Sequence, residues 1–168
     1  MSVEITLASE ESLLLAIEKL AFKIWHQHYT PIIGQKQVEY MLSKYQCFSA
    51  MQQQISDGYR YYAITNASNV EQSIIGYFAV QPRSNSLFLS KLYLDASSRG
   101  KGLSRLALSY IEQLANKEKL PEIELTVNKY NTGAIDAYKT MGFTVKEEAV
   151  FDIGKGFVMD DYVMVRQL

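Results

Sequence analysis

Two glycines and several cations lie close together near the middle of the chain. Arg99, Gly100, Lys101 and Gly102 follow an apolar run, and an amphipathic helical pattern begins directly after them. Glycine has no Cβ, so the backbone at these positions can approach a ligand closely. The start of a helix presents unpaired N–H groups and the positive end of the helix dipole. This arrangement is typical of a turn that holds a phosphate group.

The loop matches neither of two common phosphate-binding motifs. The sequence contains no Gly-x4-Gly-Lys-Ser/Thr, so it has no P-loop, and Arg105 stands where a Rossmann fingerprint needs its third glycine. The alternative is a tight strand-to-helix turn with solvated basic side chains. Arg99, Lys101 and Arg105 favour an anion site, because charge-assisted hydrogen bonds contribute roughly 1.5–3 kcal/mol each.

A second pattern runs from Asn131 to Phe143. Asn131 is a residue type preferred at helix N-caps, and Gly142 is preferred just after a helix ends. Tyr138 lies between them and has a simple structural interpretation as a half-buried aromatic residue. Each of these three residues therefore has an ordinary structural role as an alternative to a chemical one.

The composition limits the class of protein. The chain has 168 residues, a net charge of −1 and a pI of about 6.1, which predicts one domain over residues 1–168 and argues against broad nucleic-acid binding. Cys47 is the only cysteine, so no internal disulfide can form. We see no signal peptide and no apolar run near the roughly 20 residues that span a bilayer. We therefore expect a cytoplasmic protein with no nucleic-acid or membrane partner.

Hydrophobic periodicity predicts the elements that position both patterns. Ser9 is expected to cap the first helix, and Pro31 and Asp57-Gly58 are expected breaks. Turns are expected at 66–69 and 82–85. The predicted strands are 3–8, 59–65, 73–80, 86–94, 122–127, 143–151 and 157–165. The predicted apolar helix faces are Leu13, Ile17, Leu20 and Ile24; Val38, Met41 and Leu42; and Leu103, Leu106, Ala107, Tyr110, Ile111 and Leu114. The strand–helix–strand unit around the glycine loop implies a parallel strand pair within a mixed α/β domain.

Together the two patterns resemble the motifs of the GNAT superfamily of N-acetyltransferases. The family's Arg/Gln-x-x-Gly-x-Gly/Ala motif, which follows its fourth strand, is met at Arg99 and Gly102, while Ser104 departs from it at the third position. The later Asn-x-x-Ala-x-x-x-Tyr-x-x-x-Gly-Phe pattern is met at Asn131, Ala134, Tyr138, Gly142 and Phe143. The resemblance covers essentially the whole chain. Residues 156–162 resemble bacterial members of the small-molecule or polyamine type.

The resemblance implies an acyl-CoA N-acyltransferase fold, with a mostly antiparallel central sheet, one parallel strand pair and flanking helices. It also implies that acetyl-CoA is the co-substrate and that no metal takes part. The pyrophosphate would lie on the loop amides, the pantetheine arm would run along the preceding strand, and Tyr138 would be the general acid. The implied cofactor-binding residues are Leu92, Tyr93, Leu94, Arg99, Gly100, Lys101, Gly102, Leu103, Ser104, Asn131 and Lys139.

The acceptor is implied to be an amine of a small molecule or peptide. By the resemblance, the N-terminal helical region and the last strands shape its site; the candidate residues are His26, His28, Tyr29, Glu39, Asp152, Asp160 and Asp161. An acidic mouth would suit a polyamine. The i, i+2 spacing of the two histidines places them on different helix faces, which argues against a zinc site. The base that accepts the amine proton stays open among Glu124, Asp160 and Asp161.

Three functions remain open at this point. The first is an acetyl-CoA-dependent N-acetyltransferase, either a monomer or a homodimer. The second is a non-catalytic sensor or regulatory domain that binds acyl-CoA on the same fold. The third is a structural domain in which Gly100–Gly102 is only a turn. Tyr138 and the intact glycine loop favour the enzyme.

Overall fold

The computed structural model describes residues 2–66 and 74–168. Its strands are β1 (Val3–Leu7), β2 (Arg60–Asn66), β3 (Ile74–Pro82), β4 (Leu87–Leu94), β5 (Glu122–Asn128), β6 (Thr144–Gly154) and β7 (Phe157–Gln167). Its helices are α1 (Glu11–His28), α2 (Thr30–Ile33), α3 (Gln35–Met41), a π-helix (Leu42–Gln46), α4 (Phe48–Ser56), α5 (Leu103–Lys117) and α6 (Thr132–Thr140).

The strands of the described residues form a seven-stranded sheet in the order β1-β2-β3-β4-β5-β7-β6. β4 and β5 run parallel, with Leu87–Leu89 opposite Ile123–Leu125. β1 with β2, β2 with β3, β5 with β7 and β6 with β7 are antiparallel. These pairings confirm the predicted mixed sheet. Its parallel pair consists of β4, which precedes the glycine loop and its helix in the chain, and β5, which follows them.

The chain forms two compact units. The first unit comprises Met1–Gln81 and Lys91–Ala107, and it contains α1–α4 and the glycine loop. The second unit comprises Pro82–Ser90 and Leu108–Leu168, and it contains α6 and the β6–β7 hairpin. The single domain over residues 1–168 stays a prediction. Within residues 2–66 and 74–168, no helix combines the length and apolar character needed to cross a lipid bilayer.

The start of α1 differs from the prediction. Its N-cap is Glu10 rather than Ser9, and no side chain caps the helix. The reason is that Ala8 N donates a hydrogen bond to Tyr61 O at 2.7 Å, which keeps the chain extended past the end of β1. Pro31 is a break as predicted, and it lies in the first turn of α2.

The apolar face of α5 is rotated from the predicted one. Leu106 is 44% exposed, and Tyr110 and Leu114 are half-buried. The buried side chains of this helix are Leu103, Ala107, Leu108, Ile111 and Ala115. Leu103, Ala107, Ile111 and Ala115 follow an i, i+4 row, so the buried face is centred about 70°, or about a fifth of a turn, from the centre of the predicted stripe.

Two predicted features of the strand meander fall partly on residues that are not described. Of the turn predicted at 66–69, only Asn66 is described, and the rest lies outside the described residues. Of the strand predicted at 73–80, the first residue lies outside them and the part from Ile74 onward is described. The turn predicted at 82–85 is present, where Arg83 N donates to Ser86 O at 2.8 Å. In the second unit, both closing strands extend beyond their predicted ends to Gly154 and Gln167.

One buried amine in the first unit has a complete set of hydrogen-bond partners. Lys91 on β4 is 7% exposed, and its Nζ donates to Tyr45 O at 2.6 Å, to Gln54 Oε1 at 3.1 Å and to the hydroxyl of Tyr61. The π-helix contributes Tyr45, and α4 contributes Gln54. The network therefore ties β4 to the helical segment that covers it. Three neutral oxygens satisfy the amine's donors but bring no negative charge to it.

Burial lowers the pKa of Lys91 to about 7 from its ordinary value of 10.5. Below pH 7 the folded protein therefore carries a buried charge. Between pH 7 and 10.5 the unfolded chain holds a proton that the folded chain has released, so stability rises with pH in this window by up to about 1.36 kcal/mol per unit.

We therefore expect the free energy of unfolding of the wild type to rise relative to that of Lys91→Met between pH 7 and 9. Chemical denaturation at several pH values measures the difference. Lys36→Met is the control, because Lys36 is exposed on α3 and its removal should leave the pH dependence unchanged. If the free energy of unfolding changes with pH in the same way for the wild type and Lys91→Met, the lowered pKa of Lys91 would be contradicted.

Candidate functional site

The glycine loop of the first unit has an open backbone with two residues in the left-handed region. A 3-10 turn (Ala96–Ser98) leads into it, and Gly100 and Gly102 adopt φ angles of +75° and +76°. Side chains are unfavourable in this left-handed region, so the conformation favours glycine. An ideal Cβ placed on either glycine would meet no atom within 4 Å. The side of the loop toward which these positions point is therefore free of protein atoms.

The helix α5 begins directly after this loop, at Leu103. Leu103 is buried, and Leu106 N donates to Gly102 O at 3.1 Å, which starts the helical hydrogen-bond pattern. The first N–H groups of an α-helix have no acceptors within the helix, and they carry the positive end of its dipole. The predicted geometry of a glycine turn at a helix N-terminus is thus present.

Asp95 anchors the start of the loop. Its backbone N donates to Ile75 O at 2.8 Å, Ser97 Oγ donates to its Oδ2 at 2.6 Å, and its Oδ1 lies 3.0 Å from Nζ of Lys23 on α1. The hydrogen bond from Ser97 and the ammonium of Lys23 hold the pKa of Asp95 below its usual value. The ion pair of the carboxylate thus fixes the start of the loop to α1, and the backbone hydrogen bond fixes it to β3.

The predicted cations surround the loop on the exposed side. Arg99, Lys101 and Arg105 are all exposed, as are both glycines, while Ser104 is half-buried. A surface pocket of about 400 Å³ adjoins the loop; it is lined by Val3, Lys101, Gly102, Leu103 and Leu106. The exposed side chain of Leu106 forms part of its apolar wall. Positive charge, backbone donors and an apolar wall therefore occur together at this surface.

The strand β4, which precedes the glycine loop, lies close to β3 at Gly76. A Cβ on Gly76 of β3 would lie 2.8 Å from Tyr93 O and 2.7 Å from Leu94 Cδ2, so only glycine fits there. Leu94 is buried, whereas Leu92 and Tyr93 are half-buried. The parallel pairing of β4 with β5 covers Leu87–Leu89, so Leu92–Leu94 follow its last position. These three predicted residues lie in one segment with the glycine loop.

Aromatic rings of the first unit cluster around Tyr93. Trp25 stacks on Tyr29 with 4.3 Å between ring centroids, and both rings approach Tyr93 edge-on at 5.8 and 6.1 Å. His28 packs edge-on against Tyr29 at 4.9 Å. Among the acceptor-site candidates of this region, the structure thus brings Tyr29 and His28 together. His26 and Glu39 are exposed, and Glu39 accepts a hydrogen bond from Gln35.

The second unit contains the Asn131 pattern. Asn131 is 5% exposed and holds the N-cap position of α6, as predicted. Its side chain, however, makes no capping hydrogen bond. The turn is instead closed by Asn128, whose backbone O accepts a hydrogen bond from Asn131 N at 3.0 Å and whose side-chain Oδ1 accepts one from Tyr130 N at 2.9 Å.

Tyr138 lies in the last half of α6 and is half-buried. Its ring packs edge-on against Phe143 at 5.5 Å, and its carbonyl accepts hydrogen bonds from Met141 N and Phe143 N, both at 3.0 Å. The helix end and the turn after it therefore fix the backbone that carries the phenol. Lys139 is exposed at the next position. Asn131, Tyr138 and Lys139 belong to one helical segment of the second unit.

The acidic candidates of the second unit differ sharply in environment. Asp160 Oδ1 lies 2.8 Å from Lys129 Nζ, and Glu124 Oε2 accepts a hydrogen bond from Ser86 Oγ at 3.4 Å. Asp152 is exposed and accepts from Gly154 N at 2.9 Å. Asp161, by contrast, is 5% exposed, and its Oδ1 has no hydrogen-bond partner within residues 2–66 and 74–168. The sequence alone treated Asp160 and Asp161 as equivalent, although strand alternation could have separated them.

Comparison with known proteins gives a consistent picture. A sequence profile of the Acetyltransferase (GNAT) family matches residues 20–143. Comparison with curated protein sequences finds no significant match. Among solved structures, the PaiA N-acetyltransferase from Thermoplasma acidophilum in complex with coenzyme A is similar over 100% of both chains, with a TM-score of 0.82 and 20% identity.

Two further solved structures share the fold. The NatC complex bound to Gag peptide and CoA is similar over 100% of this chain and 99% of that chain, with a TM-score of 0.66 and 18% identity. A GNAT family acetyltransferase from Elizabethkingia anophelis with acetyl-CoA bound is similar over 70% of this chain and 82% of that chain, with a TM-score of 0.56 and 13% identity. With a family profile that matches about three quarters of its length, the chain belongs to the GNAT family of acetyltransferases.

Proposed function

We propose that this protein transfers an acetyl group from acetyl-CoA to a primary amine of a small molecule, polyamine-like, or of a peptide. The observation that carries the proposal is the open turn at Gly102, where a left-handed backbone directly precedes α5 and faces space free of protein atoms. A diphosphate fits such a turn because it accepts hydrogen bonds from several N–H groups and is attracted by the helix dipole. Structures of similar fold that contain CoA or acetyl-CoA support this assignment.

The remaining cofactor contacts follow from the same assignment. The amides of residues 99–104 hold the pyrophosphate, and Arg99 and Lys101 add charge around it. Leu92, Tyr93 and Leu94 offer backbone hydrogen bonds to the pantetheine arm, beyond the parallel pairing of β4. Asn131 is proposed to contact the cofactor, because it is buried at the start of α6 and matches the asparagine of the family motif. Lys139, which is exposed, is proposed to lie near the cofactor phosphates.

The proposed reaction is direct attack of the amine nitrogen on the thioester carbonyl. Holding the two reactants together contributes roughly 7–11 kcal/mol. An alkyl amine with a pKa of about 10.4 must first lose a proton, which costs roughly 4.6 kcal/mol at pH 7. A backbone N–H of Leu92–Leu94 is proposed to polarise the carbonyl as charge develops on its oxygen.

Tyr138 is proposed to hydrogen-bond to the sulfur as the thiolate leaves. A phenol of pKa about 10 is a weaker acid than a thiol of pKa about 8.5, so full proton transfer is uphill by roughly 2 kcal/mol. A hydrogen bond to the developing charge avoids that cost. The packing of Tyr138 against Phe143 supports this role, because it limits the positions that the ring can take.

The acceptor is proposed to be a cationic amine. The hairpin of the second unit carries the buried carboxylate of Asp161, whose negative charge attracts an ammonium group, whereas Asp160 is already paired with Lys129. The similarity to a complex that binds a peptide keeps peptide amines within the proposal.

The proposal is tested by thiol release from acetyl-CoA against a panel of amines that includes polyamines and short peptides. We expect amine-dependent release, and calorimetry should show binding of acetyl-CoA without an acceptor. Binding without thiol release would favour the sensor. If the protein neither binds acetyl-CoA nor releases thiol, the glycine loop would be only a structural turn.

Gly102→Val should weaken binding of CoA. The new side chain occupies the open face of the turn and disfavours its left-handed backbone, so the loss of one hydrogen bond or more should reduce affinity about 10- to 100-fold. Calorimetry with CoA measures the effect. Gly58→Val is a matched control, because Gly58 has φ +99° and equally open surroundings in a turn of the first unit outside the loop. Equal affinity in both variants would refute the loop assignment.

Tyr138→Phe should lower turnover by about 10²-fold, near the small end of general-acid effects. The variant keeps the ring and its contact with Phe143, so binding of acetyl-CoA should be unchanged. Steady-state turnover measures the effect, and a pre-steady-state measurement confirms that chemistry limits the rate. Tyr130→Phe is the control, because Tyr130 is 69% exposed in the loop before α6. An unchanged chemical step in Tyr138→Phe would remove the phenol from the mechanism.

A further inference from the structure

Asp161 has an unusual environment for a carboxylate. It lies within β7, it is 5% exposed, and its Oδ1 is buried without a hydrogen-bond partner among the described residues. Taking a carboxylate oxygen from water without giving it a donor is unfavourable. A protein retains such a group when a donor arrives from elsewhere or when the group has a chemical role.

The other two base candidates do not share this property. Asp160 is ion-paired with Lys129 at 2.8 Å, and Glu124 accepts from Ser86. A carboxylate that is already paired with an ammonium is a weaker proton acceptor. The structure therefore separates three residues that the sequence leaves equivalent, and it leaves one oxygen of Asp161 available to receive a proton.

The sheet places Asp161 next to the loop that starts α6. In the antiparallel pairing of β5 with β7, Asp161 lies opposite Asn128, the last residue of β5. Asn128 in turn closes the turn that carries Asn131. Asp161 is thus within the same unit as α6, at the strand end from which that helix departs. A carboxylate at this position is held by two neighbouring strands and does not depend on a mobile loop.

The surroundings of Asp161 raise the pKa of its carboxyl group. Burial, and then the negative charge of Asp160, raise the pKa of Asp161 to about 6, whereas Lys129 and a hydrogen bond with Thr126 lower it. On β6, Ala149 lies opposite Asp161, and Glu147 is paired with Val163, two residues along β7. Relative to an ordinary aspartate with pKa 3.8, the group binds a proton about 10²-fold more tightly, yet it is ionised at pH 7.

We infer that Asp161 is the general base that takes the proton from the acceptor amine. This inference rests on the proposed acetyl transfer. An acceptor that arrives as R–NH3+ gives one proton to the Asp161 carboxylate, which later returns it to solvent. The free amine then forms the C–N bond while the C–S bond breaks. The second proton leaves the nitrogen and ends on the sulfur, so the products are R–NH–CO–CH3, CoA-SH and one released proton.

The test is the pH dependence of kcat/KM for thiol release with the best amine of the panel. The wild type should show an acid limb near pH 6, where Asp161 becomes protonated. Asp161→Asn should lose about 10²-fold or more in kcat/KM and should lack this limb. Binding of acetyl-CoA and the melting temperature of Asp161→Asn should stay close to those of the wild type.

Two further variants keep the inference falsifiable. Asp161→Glu retains a carboxylate and should recover part of the activity together with an acid limb. Asp160→Asn removes a negative charge that raises the pKa of Asp161, so its acid limb should move to lower pH. An acid limb near pH 6 with nearly full activity in Asp161→Asn would overturn the inference and leave the acetyltransferase proposal standing. A wild type that binds acetyl-CoA but releases no thiol with any amine would overturn both.

Discussion

The start of α5 is the constraint on which the proposed chemistry depends. The backbone donors at a helix N-terminus can hold a diphosphate only if the preceding turn leaves them uncovered. Gly100 and Gly102, two left-handed residues separated by Lys101, form this turn, and Asp95 fixes its start to α1 and β3. Ser104 departs from the family motif, but it is the second residue of α5 and its side chain is small. The departure therefore leaves the geometry of the turn and the helix start intact.

The two buried ionisable groups described above differ in one respect. Lys91 is surrounded by three oxygen acceptors, so its burial strengthens the contact between β4 and the π-helix. Asp161 is equally withdrawn from water, but one of its oxygens has no donor. A fully satisfied polar group stabilises one structure, whereas an unsatisfied one is costly and needs a separate explanation. This contrast is why Lys91 is interpreted as structural and Asp161 as chemical.

Much of the fold was accessible from periodicity alone. Strand alternation predicted the strands of the second unit to within a few residues, and the strand–helix–strand order predicted the parallel pairing of β4 with β5. The errors have identifiable causes. Ser9 is not the cap of α1, because a hydrogen bond from Ala8 to Tyr61 extends the strand. Leu106 is exposed, because apolar character at helical spacing does not fix which side of a broad stripe packs inward.

The sequence by itself determined the chemistry that each segment can offer: the glycines and cations of the loop, the Asn131–Phe143 pattern and the acidic residues of the last strand. These depend on residue type and local spacing, which are properties of the chain. Only the tertiary structure decided which carboxylate is paired and which is buried without a donor. That distinction depends on neighbours far apart in the chain. Lys129 neutralises Asp160, whereas β5 and β6 flank Asp161 and no donor from the described part of the chain reaches its Oδ1.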